Sequence, residues 1–213
     1  MTRRVDRLAR FAHDTQGATL LEMAMVMPLL LLLIFGLLDY GRLFWIEAMA
    51  QKATAIAART AAVRPPVCAG VPTVISVSST NPGEVAPKFG TLCRTGGVCA
   101  DAGEQSCLLD TATAAGAEIW DRIAPLMPPG ATAANVRLRY SFDERIGFLG
   151  GPYSPMVTAE LVDLAFQFAT PLGGLAAMAA NDDTLATTSP NSIALPAMSV
   201  SLPGEDLAAG LPN

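Results

Sequence analysis

Between Met23 and Leu38 the chain runs for 16 residues without a charged side chain, and five of them, Leu29–Leu33, are consecutive leucines. No other segment limits the possible folds as strongly. With Ala18–Glu22 included, the stretch has 21 residues and a single acid. A helix rising about 1.5 Å per residue crosses a hydrocarbon core of about 30 Å in about 20 residues, so this segment predicts a membrane-spanning helix. Pro28 lies inside it, which membrane helices tolerate, with or without a kink. Tyr40, Phe44 and Trp45 follow the run directly, where an interfacial aromatic belt belongs. Ahead of it, residues 1–17 carry Arg3, Arg4, Arg7 and Arg10 against Asp6 and Asp14, with the chain's one histidine, His13. Basic residues stay on the cytoplasmic side, so the chain after about residue 42 is expected outside. A cleaved secretory signal shares the basic start and apolar centre. Here the run is longer than a usual signal core, and a small-residue cleavage pattern comes only at Ala48-Met49-Ala50.

Charge and cysteine usage agree with export. The 213-residue chain has a formal net charge of -5, and with +2 in the leader the remainder holds -7. No basic stripe exists beyond the first ten residues, so the phosphate-attracting contribution that nucleic-acid binding needs is missing. Cys68, Cys93, Cys99 and Cys107 all follow the apolar run, within 40 residues. An even number in an exported segment predicts two disulfides formed in an oxidising compartment. Three pairings are open; the Thr95-Gly96-Gly97 loop favours Cys93–Cys99 with Cys68–Cys107.

Directly between the basic leader and the apolar run stands Gly17-Ala18-Thr19-Leu20-Leu21-Glu22. It resembles a class III, prepilin-type signal, in which a membrane peptidase cuts after the glycine and a glutamate stands fifth in the mature chain. The physical logic is specific. An acid at the edge of hydrocarbon costs several kcal/mol unless it is paired. A cut after Gly17 would free the Ala18 amine, so that Glu22 could pair with the amine of a neighbouring subunit and set the register of a helical assembly. The stretch Gly17-Ala18-Thr19-Leu20-Leu21-Glu22-Met23-Ala24-Met25-Val26-Met27-Pro28-Leu29, continuing to Phe35-Gly36 and Asp39-Tyr40-Gly41-Arg42, is similar to the N-terminal region of TadE-like pseudopilins, minor components of tight-adherence (Flp, type IVc) pilus systems. The likeness covers about residues 15–64. Major Flp pilins are very short and carry Glu-Tyr at the motif, whereas this chain has Glu22-Met23 and a large exported part, which favours a minor pseudopilin. TadF-like relatives share the layout, and these residues do not separate the two. The resemblance implies a single-pass protein of the bacterial inner (cytoplasmic) membrane with its C-terminal domain periplasmic or extracellular. It also implies partners: a prepilin peptidase, other pilins and pseudopilins, inner-membrane pilus assembly proteins and the lipid bilayer.

The residues divide the chain into a leader (1–17), the membrane helix with its extension (18–64) and an exported domain (65–213). Ile46–Val63 is Ala-rich and reads as a helix stopped by Pro65-Pro66. Continuous with the span, Ala18–Arg64 would make a rod of about 70 Å. Val71–Val77 is a candidate strand in a loop-rich region pinned by the cysteines. Leu108, Ala112, Ala115, Ile119, Ile123 and Leu126 recur at helical spacing and predict a helix over Glu104–Met127, ended by Pro128-Pro129-Gly130. Val136–Phe142 alternates apolar residues with Arg137, Arg139 and Ser141, as a half-buried strand does. Gly147–Pro155 reads as a turn, and Val157–Phe168 as a second strand, the two pairing antiparallel. Leu175–Ala180 is a candidate short helix, Asn181–Asn191 a polar loop, and Ile193–Leu202 an edge strand because of Pro196. Pro203–Asn213 is expected to be an exposed tail. The fold class is therefore α+β: a long N-terminal helix, a second helix and a small antiparallel sheet.

Chemistry is sparse. Without a histidine in the exported part, Ser-His-Asp and Cys-His catalysis and imidazole zinc sites drop out, and no CxxC pair or phosphate-binding glycine loop is present. The adjacent acids Asp143-Glu144, Asp182-Asp183 and Glu205-Asp206 read as solvated turns rather than an acid–base couple. Asn181 with Asp182-Asp183 offers calcium oxygen ligands but lacks a full ligand spacing. Arg137 and Arg139 read as a solvated strand face, with an acidic partner as the sharper alternative. The expectation is a non-enzymatic protein with no cofactor. A membrane-tethered periplasmic binding module is the rival, and a tethered enzyme using carboxylates alone is the third.

Overall fold

The computed structural model describes residues 18–78, 85–170, 192–205 and 207. Its first element, α1, is a 45-residue helix, Ala18–Ala62, interrupted by no break at Pro28. The helix ends three residues before Pro65-Pro66, as proline's exclusion from helix interiors requires. Two compact units divide the chain: Met1–Leu43 with Gln167–Ser192, and Phe44–Phe166 with Ile193–Asn213. The helix contributes residues to both.

The second unit contains a four-stranded antiparallel sheet in the order β1-β2-β3-β6, from Glu104–Leu108, Val136–Ser141, Met156–Leu161 and Met198–Pro203. A second helix, α2, spans Ala114–Ile123. Two short strands, β4 (Ala165–Gln167) and β5 (Ser192–Ala194), pair separately. The α+β class is as the sequence predicts.

Alternation fixes the sheet's inner face. Val136, Leu138 and Tyr140 of β2 and Val157, Ala159 and Leu161 of β3 are buried, and every second residue turns outward. They share one core with Ile119 and Ile123 of α2 and with Ala50, Ala53, Ala57, Ala58 and Ala61 of α1. The alanine-rich composition that the sequence shows here has a packing reason: methyl side chains let the helix backbone approach the sheet closely. Tyr140 keeps its hydroxyl satisfied by accepting from the Val67 amide at 3.3 Å, and burial pushes its pKa up. A smaller core gathers Ile75, Leu149 and Tyr153 around Cys93 and Cys99.

Of the three possible cysteine pairings, the structure has Cys68–Cys107 and Cys93–Cys99, with Cα–Cα separations of 5.5 and 5.2 Å. The first ties the chain just past α1 to strand β1. The second closes a tight loop in which Gly96 and Gly97 both take positive φ (79° and 66°), a conformation that glycine adopts without strain.

Five elements differ from the sequence expectation. The helix expected over Glu104–Met127 is a strand at Glu104–Leu108 and a helix only from Ala114. Asp110 and Thr113 separate the two: the Asp110 carboxylate accepts from the Ala112 amide at 2.8 Å, and Thr113 caps α2 by accepting from the Gly116 amide at 3.1 Å. Gly116 has no substitute there, because a Cβ would stand 2.0 Å from the Asp110 carbonyl oxygen. Val157–Phe168 is not one strand. It breaks at Val162–Leu164, where Asp163 takes φ 54° and the Asn135 amide group donates to the Val162 and Asp163 carbonyls. Val71–Val77 makes two isolated bridges, Val74 with Pro152 and Val77 with Cys99, instead of a strand. In the expected tail, Pro203 belongs to β6 and Leu207 is buried, while the Glu205 amide donates to the Ala62 carbonyl at 2.9 Å. The Leu175–Ala180 helix and the Asn181–Asn191 loop lie outside the described residues. Ile193–Leu202 is not one strand either: Ser192–Ala194 pairs with β4, Pro196 interrupts the run, and Met198–Pro203 forms β6 at the edge of the main sheet.

Beyond the end of α1, Arg64 donates to both Glu118 carboxylate oxygens, at 2.7 and 2.9 Å, and Arg122 adds a bond at 2.7 Å. The Arg64 fork is the main reason the Glu118 pKa falls to about 2, with Arg122 assisting against partial desolvation. A carboxylate with a depressed folded pKa stabilises the fold above its unfolded value and loses that contribution as it is protonated. Stability measured by denaturant titration is therefore expected to decline from about pH 4.5 towards pH 2. Arg64→Met is expected to flatten this decline. An unchanged pH profile in that variant would show that other carboxylates set it.

Candidate functional site

The apolar part of α1 has the character of a solvent-facing element in the wrong solvent. Its most hydrophobic 18-residue window averages a hydropathy of 2.4, and none of it is buried within the protein. Leu20, Leu21, Leu29, Leu33 and Leu37 are all exposed, on every side of the helix. A helix stretch apolar all round and exposed along its length fits a single-pass membrane anchor. Glu22 stands exposed on its first turns. Ala18 is the first residue of α1, and Gly17 lies outside the described residues. Tyr40, Phe44 and Trp45 are exposed just beyond the run.

The outer end of the run is built differently. Asp39, the first charged residue after it, has a side chain only 3% exposed. Its Oδ1 accepts from the Ala169 amide at 3.2 Å and from Arg42 Nη1 at 3.1 Å. Its Oδ2 accepts from the Thr170 amide at 2.8 Å and from the Thr170 hydroxyl. One turn of α1 thus binds a backbone segment 130 residues away. Beside it the Tyr40 and Phe168 rings meet edge to face, 5.9 Å between centroids. The sequence marks Asp39-Tyr40-Gly41-Arg42 as part of a motif but not as a binding turn. The available signal was an acid at the border of an apolar run, which needs donors from somewhere.

Residues 17–59 match the family model described as TadE-like protein. This segment is TadE-like. The match starts at Gly17 and ends within the alanine-rich part of α1, so it takes in Ala18, Glu22 and the Asp39 turn, about a fifth of the chain. Neither the curated proteins nor the solved structures gave a match. The chain beyond residue 59 therefore rests on its own geometry.

That geometry places the remaining sequence candidates in local roles. Outside the TadE-like segment, Arg137 and Arg139 face acids of the neighbouring strands: Arg137 reaches Glu160 at 3.7 Å, and Arg139 reaches Glu104 at 3.3 Å and Glu160 at 3.2 Å. These cross-strand ion pairs neutralise the basic face from within the sheet, while the buried Arg139 Nε makes no hydrogen bond. Asp143 turns its carboxylate onto the Arg145 amide at 2.9 Å, an Asx turn. With Glu144, Asp101 and Arg145 it borders an open depression of about 440 Å³ beside the Cys93–Cys99 bridge. Asn181, Asp182, Asp183 and Asp206 lie outside the described residues.

Proposed function

We propose that this chain is a minor pseudopilin, a membrane-anchored, non-enzymatic component for assembling a tight-adherence (Flp, type IVc) pilus. The observation that carries the reading is an overlap: the TadE-like match over residues 17–59 covers the whole exposed apolar stretch of α1, with Glu22 exposed ahead of its uncharged run. In this reading a prepilin peptidase cuts after Gly17, and Ala18 becomes the mature N-terminus. The apolar half of α1 then lies in the inner membrane, free to pack against the helices of other pilins and pseudopilins. An anchor needs one apolar helix; a register-setting subunit also needs an acid held at the hydrocarbon edge, and Glu22 supplies it. The domain beyond α1 lies in the periplasm or outside the cell, where its two disulfides are stable and where inner-membrane assembly proteins meet it.

The test is the N-terminal residue of the protein isolated from its native membrane, read by mass spectrometry. A start at Ala18 is expected. An intact leader would leave a plain anchored domain and sink the pseudopilin reading. A start near residue 51 would make the protein secreted and remove the anchor as well.

A further inference from the structure

We infer that Asp39 is a positioning residue that seats residues 168–170 at the outer membrane interface, giving the protein a second contact with the lipid headgroup region besides its spanning helix. The inference rests on the membrane-anchor reading of α1 and goes beyond it. Strand β4 ends at Gln167, so the Ala169 and Thr170 amides leave the sheet without a strand partner. Both donate to Asp39 instead, joined by the Thr170 hydroxyl. The exchange is reciprocal. Amides near hydrocarbon cannot rely on water, and a carboxylate at the same depth needs donors. The apolar run ends at Leu38, one residue before this turn, which sets the depth. Phe168 is the side chain delivered there, and its ring lies against Tyr40. Tyr40, Phe44 and Trp45 already mark this level of α1 as aromatic and exposed. Aromatic rings with that placement partition into the headgroup layer, so Phe168 extends the belt beyond the helix. The lipid interface is the occupant by continuity: the exposed rings of Tyr40, Phe44 and Trp45, with the half-buried Phe168 against Tyr40, directly follow the apolar span.

The experiment uses the full chain in phosphatidylcholine vesicles, with Trp45 and Trp120 replaced by Phe and one reporter tryptophan introduced by Phe168→Trp. Lipids brominated near the top of the acyl chains are expected to quench it strongly, and lipids brominated near the bilayer centre weakly. Adding Asp39→Ala, or the milder Thr170→Val, is expected to reduce the shallow quenching several-fold. A separate Leu38→Trp reporter, inside the span, should be quenched equally with and without those changes. A quenched Leu38→Trp reporter with an unquenched Phe168→Trp reporter would overturn the inference and leave the anchor intact. Quenching at 168 that ignores both Asp39→Ala and Thr170→Val would show that Asp39 does not position the segment. If neither reporter is quenched, the anchor reading fails and takes the inference with it.

Discussion

Replacing Cys68 and Cys107 together by serine is expected to lower the unfolding free energy by about 4 kcal/mol, about twice the loss on replacing Cys93 and Cys99. The ratio follows from loop length. The first bridge joins residues 39 apart and the second residues 6 apart, and the entropy removed from the unfolded chain grows with the logarithm of the closed loop. Position adds to it. Cys107 lies in β1, an outer strand of the main sheet, and Cys68 lies just past the end of α1 within the same core. Cutting that link frees the strand from the segment that follows the helix. The Cys93–Cys99 bridge sits in the smaller core, and its loss loosens a local turn. Denaturant titration of the full-length protein in detergent micelles, followed by near-ultraviolet circular dichroism, measures both losses. Equal losses, or a larger one at Cys93–Cys99, would show that strain or residual unfolded structure outweighs loop closure here.

What was legible in the sequence depended on how local its cause was. The apolar helix announced itself because hydropathy acts residue by residue, and the end of α1 because two prolines stop it. The antiparallel pairing of β2 with the run after Pro155 was legible from the alternation of Val136–Phe142 and the one-faced apolar residues of Val157–Phe168, although the ladder uses only Met156–Leu161. The failures come from partners far away in sequence. Leu108 fits a helical stripe with Ile119 and Ile123, yet Glu104–Leu108 forms a strand because β2 supplies its ladder and Cys68 its bridge. The break at Asp163 depends on Asn135, 27 and 28 residues earlier, holding two carbonyls. At the candidate site the same division holds. Gly17, Ala18 and Glu22 belong to one short stretch that the TadE-like match also covers, so the resemblance needed no distant partner to be seen. The binding turn at Asp39 could not be read directly, because its donors arrive from Ala169 and Thr170. Arg137 and Arg139 read as a solvated strand face for the same reason, since Glu160 and Glu104 reach them only across the sheet.

Glu22→Ala is expected to leave cleavage after Gly17 intact and to reduce piliation on the order of a hundredfold, because an amine buried in a helical assembly without its carboxylate is an uncompensated charge. Cleavage is spared because the cut lies between Gly17 and Ala18, five residues before the carboxylate. Stability of the domain beyond α1 should be spared too, since Glu22 is exposed and lies in the unit that does not contain the main sheet. Assembly is the step that changes. Glu22→Gln keeps the shape and removes the charge, so it should fail as badly as Glu22→Ala if pairing with the Ala18 amine is the cause. Glu22→Asp keeps the charge one methylene short and should recover part of the function. Piliation counted by electron microscopy, beside the N-terminal mass of each variant, separates these steps. Normal piliation in Glu22→Gln would remove charge pairing from the account and leave α1 to find its register by packing alone. Such packing would have to come from a surface in which ten of the 16 residues between Met23 and Leu38 are leucine or methionine and none is charged. Such a surface distinguishes one axial register from the next poorly, which is the physical reason to expect a single charge to decide it.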